Sequence, residues 1–216
     1  MWNNLEIGFQ KAFEIGWEAY CKKNDKGRRG HPIGAAITNK DGAVVAAAHN
    51  QIIATGNGLI SHHCLAHAEI NSMLMLKEGE HSDVKTYTLY TTLESCTLCF
   101  GAIAMGNIKK TLFAARDPFG GMRTRYDSAE TICDYKAMTF EGPFAEPERV
   151  QMTMLAAIEY TYGGAYPDRY INMMKPFFER ELEMGEKISR DKTLEDFADS
   201  GVGIDTVYDS IISLLC

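Results

Sequence analysis

The sequence predicts an α/β sandwich whose sheet is partly parallel, followed by a helical C-terminal extension. Within the first 121 residues, short apolar runs alternate with segments whose apolar residues recur at helical spacing. Their order is helix, hairpin, helix, strand, helix, strand. Because two strand-to-helix crossovers follow one another, we expect neighbouring strands to run parallel with helices covering the sheet.

Each element is predicted from its own pattern. Residues 5–22 carry apolar side chains at helical spacing without proline, and they lead into a basic loop. An Asp41-Gly42 turn between two apolar runs predicts a β-hairpin. The other segments follow from the same two periodicities. The predicted elements are a helix at 5–22, strands at 33–38 and 43–48, a loop at 51–64, a helix at 66–77, a strand at 86–93, a helix at 96–105 and a strand at 108–115.

The C-terminal part of the chain has helical patterns at 146–160, 169–188, 192–199 and 204–215. We expect residues 146–216 to form a helical extension that packs on the same domain as residues 1–145. A small independent domain is the alternative. Four tyrosines in this part predict either ordinary packing or the mouth of a pocket, and they are Tyr160, Tyr162, Tyr166 and Tyr170.

Composition limits the partners of this chain. Its 216 residues have a formal net charge of −7, which argues against a nucleic-acid partner because phosphate binding depends on basic surfaces. The N-terminus lacks a secretory signal pattern, and there is no run of roughly 18 apolar residues that could span a bilayer. We therefore expect a cytoplasmic protein without a membrane partner, whose cysteines are thiols or metal ligands rather than disulfides.

Two short segments carry the chemistry. Cys96 and Cys99 are three residues apart at the start of a predicted helix, so both sulfurs lie on one face and can bind one metal ion. His67 opens another predicted helix and supplies a third ligand if the two helix starts converge. Three protein ligands leave one corner of a tetrahedral zinc site open for water. Glu69, two residues after the histidine, is then suited to general acid–base work beside that corner.

These residues resemble a known signature. His67-Ala68-Glu69 followed by Cys96-x-x-Cys99 is similar to the H-x-E…P-C-x-x-C motif of the cytidine/deoxycytidylate deaminase superfamily. The resemblance covers roughly residues 5–121 and is closest to the branch of guanine deaminases and tRNA adenosine deaminases. Further matches lie at Gly34-Ala35-Ala36-Ile37, Asp41-Gly42, His49-Asn50, Thr92-Leu93-Glu94, Gly101-Ala102-Ile103 and Arg116-Asp117-Pro118.

The resemblance implies a fold and an assembly. It implies a three-layer α/β/α sandwich with a mixed five-stranded sheet, one Zn²⁺ per subunit and a homodimer. It also assigns Asn50 to holding the base. The amide of Ala68 and the carbonyl of Ser95 are further candidates for orienting the substrate. Asp117 either contacts the substrate or caps its own loop.

One residue departs from the motif. The proline that precedes the first cysteine in the family is Ser95 here. Serine keeps the backbone carbonyl and is a favourable helix N-cap, so zinc binding is expected to persist while the pocket shape changes.

The resulting hypothesis is hydrolytic deamination of a free base or nucleoside of guanine, cytosine or adenine type, with Glu69 carrying the proton and ammonia leaving. Two alternatives remain open. The chain is a tRNA wobble-adenosine deaminase, or it is a non-catalytic zinc-binding protein related to deaminases.

Overall fold

A computed structural model describes residues 1–53, 56–77, 79–123, 128–163 and 167–216. Its sheet has five strands in the order β2-β1-β3-β4-β5. β1 pairs antiparallel with both β2 and β3, whereas β3, β4 and β5 run parallel. The sheet is therefore mixed, as expected. The strands are β1 (Gly34–Thr38), β2 (Val44–His49), β3 (Thr88–Leu93), β4 (Lys110–Ala115) and β5 (Thr139–Glu141).

Helices cover both faces of this sheet. Their bounds are α1 (Ile7–Cys21), α2 (Ala68–Leu74), α3 (Thr97–Met105), α4 (Ser128–Lys136), α5 (Ala145–Tyr162), α6 (Pro167–Met174), α7 (Glu179–Arg190), α8 (Thr193–Asp199) and α9 (Ile204–Leu215). Short 3₁₀ turns occupy Trp2–Asn4 and Val84–Thr86. No helix within the described ranges is long and apolar enough to cross a membrane.

The alternation of side chains along the strands separates two cores. On one face, Tyr90 of β3 and Leu112 of β4 pack with α1 and α5. On the other face, Ile37 and Leu89 pack with Ile103 of α3. The protein is thus a three-layer α/β/α sandwich, which confirms the expected fold class.

The C-terminal helices pack on the α1 side of the sandwich. Residues of α5, α7, α8 and α9 belong to the same hydrophobic cluster as α1 and strands β3 and β4. Helix α7 crosses α5 closely at Gly185, where a Cβ atom would lie 2.5 Å from the Cβ of Ala156. Arg29 adds a polar connection, because its buried guanidinium donates to Asp199 at the end of α8 at 2.6 Å.

The structure differs from the sequence expectation after residue 121. The single helix expected at 169–188 is wrong, since α6 ends at Met174 and α7 begins at Glu179. Pro176 lies in the break, where it lacks an amide hydrogen and disfavours helical backbone at the preceding residue. Neither α4 nor β5 was predicted from its pattern. β5 has only three residues, two of them exposed, which is too short for a periodicity.

Candidate functional site

The two motif segments meet at the starts of α2 and α3. His67 is the N-cap of α2 and Cys96 is the N-cap of α3, and neither side chain caps its own helix. The Nδ1 atom of His67 lies 3.5 Å from Sγ of Cys96 and 3.4 Å from Sγ of Cys99. All three candidate ligand atoms lie within 4.8 Å of one another. The expected convergence of two helix starts is therefore present.

This arrangement fits a zinc ion. Typical Zn–N and Zn–S distances of about 2.1 and 2.3 Å at a tetrahedral angle separate the nitrogen and sulfur atoms by about 3.5 Å. The two nitrogen–sulfur distances of 3.5 and 3.4 Å match that separation. One histidine and two cysteines are also a common zinc ligand set that keeps a coordination position open. The donor set and its spacing thus both suit zinc.

The protonation of the two thiols supports metal binding. Hydrogen bonding from Cys99 and His67 lowers the pKa of Cys96 to about 4 against the penalty of burial. The pKa of Cys99 is raised, because its proton is held by Cys96 and because the side chain is buried. Without metal, the hydrogen bond between the two sulfurs thus favours a thiolate at Cys96 beside a thiol at Cys99. A cation that binds both sulfurs must displace the thiol proton, which makes metal affinity depend on pH.

Glu69 lies beside this cluster in the first turn of α2. Only 4% of its surface is exposed, and burial raises the pKa of its carboxyl, with the nearby Cys96 thiolate adding to the rise. Ser95 donates its hydroxyl to Oε1 of Glu69 at 3.0 Å. A buried carboxyl with a raised pKa and a fixed orientation is suited to accepting and returning a proton.

Ser95 has a different local role from the one expected. Cys96 rather than Ser95 is the N-cap of α3, so the serine hydroxyl is free to turn towards Glu69. The Ser95 carbonyl accepts the amide of Met122 at 3.0 Å. One lone pair of this carbonyl is therefore used by the protein and the second is left for another donor.

A cavity of about 330 Å³ adjoins the cluster. This volume is within the range of small-molecule sites. Its lining combines motif residues with residues from the loops before β1 and after β4 and from helices α5 and α6. They are His31, Ile33, Asn50, Ile52, His67, Glu69, Leu93, Glu94, Cys96, Asp117, Phe119, Leu155, Glu159 and Tyr170.

Asn50 and Asp117 both reach this cavity, as the sequence predicts for substrate contacts. Asn50 accepts the amide of Ile52 through Oδ1 at 3.1 Å, and within the described residues its Nδ2 makes no hydrogen bond. Asp117 accepts the amide of Phe119 at 2.9 Å, which caps its own loop. Burial, together with the charges of Glu94 and Cys96, raises the pKa of Asp117 to about 6. Ala68 is the first residue of α2, directly after the His67 ligand.

The sequence did not single out several lining residues. Glu94 is buried and accepts the Asp117 amide at 3.1 Å, so it holds the loop after β4. Its position at the end of a strand, next to the Cys-x-x-Cys motif, could have identified Glu94 from the sequence as a residue of the site. No comparable signal marks Glu159. Of the tyrosines in the extension, Tyr170 reaches the cavity, Tyr162 packs on the core and Tyr166 lies outside the described residues.

The α/β/α sandwich and the His–Cys–Cys cluster beside a buried glutamate define an α/β protein whose donor set suits zinc. The family model described as the cytidine and deoxycytidylate deaminase zinc-binding region matches residues 5–115. This match spans half of the chain, and the chain belongs to that family.

Individual relatives differ in the substrates that their names state. A tRNA-specific adenosine deaminase of Agrobacterium fabrum is 35% identical over 125 residues, which are 56% of this chain and 76% of the relative. A cytosine deaminase of Candida albicans is 27% identical over 112 residues, 52% of this chain and 69% of the relative. The crystal structure of a guanine deaminase from Bacillus subtilis is 27% identical, with a TM-score of 0.42 and coverage of 59% of this chain and 69% of that one.

Proposed function

We propose that this protein is a zinc-dependent hydrolytic deaminase that converts an amino-substituted nucleobase or nucleoside of guanine, cytosine or adenine type to the carbonyl product and ammonia. One observation carries the proposal. A buried glutamate, Glu69, lies next to three convergent zinc ligands on the wall of a cavity of small-molecule size. A purely structural zinc site has no use for that carboxylate.

His67, Cys96 and Cys99 would hold the metal. When bound, zinc supplies a Lewis acid that makes water nucleophilic near neutral pH. Glu69 would accept one proton from the attacking water and deliver it to a ring nitrogen. It would then take the remaining hydroxyl proton and pass it to the amine, so that the C–N bond breaks, ammonia leaves and a carbonyl forms. The hydroxyl of Ser95 would orient the carboxylate through its bond to Oε1.

Four further groups would position the substrate. The Nδ2 group of Asn50 can donate to a ring nitrogen or carbonyl of the base. The amide of Ala68 and the second lone pair of the Ser95 carbonyl are candidates for holding the reacting carbon and its amine. Asp117 can accept a donor from the base in addition to capping its loop.

Ammonia release across a panel of bases, nucleosides and nucleotides tests this function. We expect turnover of at least one base or nucleoside by the zinc-loaded protein and none by the Glu69→Ala variant with zinc still bound. Zinc-loaded wild-type protein that is inactive on the whole panel would instead favour a non-catalytic zinc-binding protein.

A tRNA adenosine deaminase is the second candidate, because a Bacillus subtilis relative of that name is 36% identical to this chain over 94 residues. A tRNA substrate would make binding fall steeply with salt, since phosphate contacts release counterions. We expect no such dependence, because the chain has a net charge of −7. Inosine formation in a tRNA anticodon stem-loop at low salt, lost at higher salt, would favour the tRNA candidate.

We also propose a homodimer with one zinc per subunit. Helix α3 has an exposed apolar edge, where Leu98 is 39% and Met105 73% exposed, and Leu74 of α2 is 43% exposed. Such residues are candidates for a subunit interface. Light scattering should give twice the monomer mass, and Met105→Glu should shift the protein towards the monomer. A wild-type monomer at all concentrations would contradict this proposal.

A further inference from the structure

Helix α5 contributes to the cavity a carboxylate, that of Glu159, which has no part in the proposed deamination chemistry. Glu159 lines the cavity with a side chain only 14% exposed, and its Oε1 lies 3.8 Å from Nε2 of His31, whose side chain is 24% exposed. His31 belongs to the loop before β1. Two segments far apart in sequence thus place a carboxylate and an imidazole together in the wall of the cavity.

The position of this pair is fixed by a buried contact. Gln151, Leu155 and Glu159 follow one another at four-residue spacing, so they share one face of α5. Gln151 is fully buried and donates from Nε2 to the carbonyl of Pro32 at 3.1 Å. Because Pro32 follows His31 directly, this bond ties the loop to the helix face that carries Glu159.

The charge of the cavity lining favours one kind of ligand. Four carboxyl groups line the cavity, and no lysine or arginine does so within the described part of the chain; the four are Glu69, Glu94, Asp117 and Glu159. Phosphate sites in proteins usually use arginine, lysine or a free helix N-terminus. The two helix N-termini at this cavity already carry Glu69 and the Cys96 thiolate. The thiolates of Cys96 and Cys99 would offset the charge of a bound zinc ion, so the carboxylates of the lining would still disfavour a phosphate group. N–H and O–H donors would be accepted.

We infer that Glu159, held beside His31, determines substrate choice by accepting N–H or O–H donors of an unphosphorylated base or nucleoside and by excluding the corresponding nucleotide. The inference rests on the proposed deaminase function and assigns a role to the helical extension. In this inference Glu159 determines specificity, and Glu69 carries out the proton transfers.

The test compares Glu159→Gln and Glu159→Lys with the wild type on cytosine, cytidine and cytidine 5′-monophosphate, and on the adenine and guanine series. For the base or nucleoside that the wild type turns over, Glu159→Gln should raise KM about tenfold and change kcat less than threefold. Glu159→Lys should raise the kcat/KM of the monophosphate relative to the nucleoside at least tenfold. The matched controls are Glu183→Gln and Glu183→Lys on the exposed side of α7, which should behave as the wild type.

Other readouts keep the inference testable if a variant folds poorly. His31→Asn removes the imidazole beside Glu159. This variant should also raise KM more than it lowers kcat. Calorimetric titration of the same ligands into the Glu69→Ala protein should show weaker binding of monophosphates than of nucleosides. Equal KM values for the Glu159→Gln and Glu183→Gln proteins, or monophosphates bound as well as nucleosides, would overturn the inference. Absence of turnover with selective binding intact would reject only the deaminase function.

Discussion

The cavity has two sides that differ in origin. We call the motif side the part formed by His67, Glu69 and Cys96, and the helical side the part formed by Leu155, Glu159 and Tyr170. The motif side lies largely within the segment that matches the deaminase family, residues 5–115. The helical side lies outside that segment. The cavity thus combines side chains from inside the matched segment with side chains from outside it.

The two sides also differ in what holds them. On the motif side, His67 and Cys96 lie at the starts of α2 and α3, so the packing of these two helices brings the ligands together. The helical side is positioned by packing and by two long-range hydrogen bonds of α5. Gln151 donates to the Pro32 carbonyl at 3.1 Å, and Glu148 accepts from Nε of Arg116 at 2.8 Å. Changes on the motif side should therefore affect metal content and kcat, and changes on the helical side should affect KM and stability.

Removal of the metal should have the largest effect. Cys99→Ala removes one of three protein ligands, so zinc and activity should both be lost, and a chelator should lower the Tm of the wild type because bound metal stabilises the folded state. Zinc content by elemental analysis and Tm by calorimetry check this. The control Cys133→Ala, in a buried cluster on α4, should keep zinc. Full activity in metal-free Cys99→Ala protein would contradict the assignment.

Loss of the proposed acid–base group, Glu69, should have the second largest effect. Glu69→Ala should keep stoichiometric zinc but lower kcat by about 10²–10⁴-fold, the usual contribution of a positioned acid–base group. Steady-state assays beside zinc analysis separate this result from metal loss. Glu80→Ala, an exposed carboxylate in the loop after α2, serves as the control. Unchanged kcat in the zinc-loaded Glu69→Ala protein would remove Glu69 from the mechanism.

Asp117 lies where the two sides meet, since its charge acts on Tyr170. Its pKa is raised from 3.8 to about 6 by burial, so the folded protein binds the proton more tightly than the unfolded chain does. Stability is therefore highest below pH 4 for this group and falls as the pH rises to about 6, by at most about 3 kcal/mol.

In zinc-free protein, Asp117→Asn should flatten this part of the stability profile and raise stability above pH 6. Urea unfolding between pH 4 and 8 measures it. Asp41→Asn, on the exposed hairpin turn, should keep the wild-type profile. A wild-type slope in Asp117→Asn protein would show that another group causes the dependence.

A substitution outside the motif can shift the helical side and leave the motif residues unchanged. Gly185→Ala should destabilise by about 1–3 kcal/mol, because the added methyl group overpacks the contact between α7 and α5. It should raise KM more than it lowers kcat, since α5 carries Glu159. Gly101→Ala is the matched control, because its Cβ meets no atom within 4 Å and alanine favours a helix by roughly 1 kcal/mol. Equal Tm changes for both variants would refute the close-packing argument.

The smallest effect is expected at Ser95. Ser95→Ala removes the hydroxyl bonded to Oε1 of Glu69, and one hydrogen bond to a charged group corresponds to about a tenfold lower kcat. Zinc content and KM should change little. Ser95→Thr, which keeps a hydroxyl, should recover most of kcat. If the alanine and threonine variants have the same kcat, the serine does not orient Glu69.

We propose that residues 1–145 and 146–216 form one folding unit. Their side chains share a hydrophobic cluster that joins Trp17 and Tyr90 to Val150 and Tyr208. A chain truncated after residue 145 should therefore be insoluble or lose its sharp thermal transition, whereas the full chain should unfold in one step. Two separate calorimetric transitions would instead support an independent C-terminal domain.

Much of this protein follows from its sequence. The spacings His67-x-Glu69 and Cys96-x-x-Cys99 predicted the candidate zinc ligands and the candidate acid–base group, and i to i+3 geometry aligns Cys96 with Cys99. The convergence of His67 with the two cysteines was decided by the tertiary structure, because they belong to the starts of different helices. Periodicity likewise determined α1, α9 and the first four strands, since each is long enough to show its pattern. α4 and β5 were not predicted, because they are short and largely polar. The break between α6 and α7 was not predicted either, although Pro176 lies in it.

Only the tertiary structure decided what surrounds the cluster. Glu159 and His31 are separated by most of the chain, and no local pattern indicates that they come within 3.8 Å. The hydroxyl of Ser95 also donates to Glu69 instead of capping α3, because Cys96 occupies the N-cap position of that helix. The residue types of the candidate site thus follow from two short motifs, which the sequence shows directly. Their convergence and the composition of the cavity wall depend on long-range packing, which the sequence determines only through the whole fold.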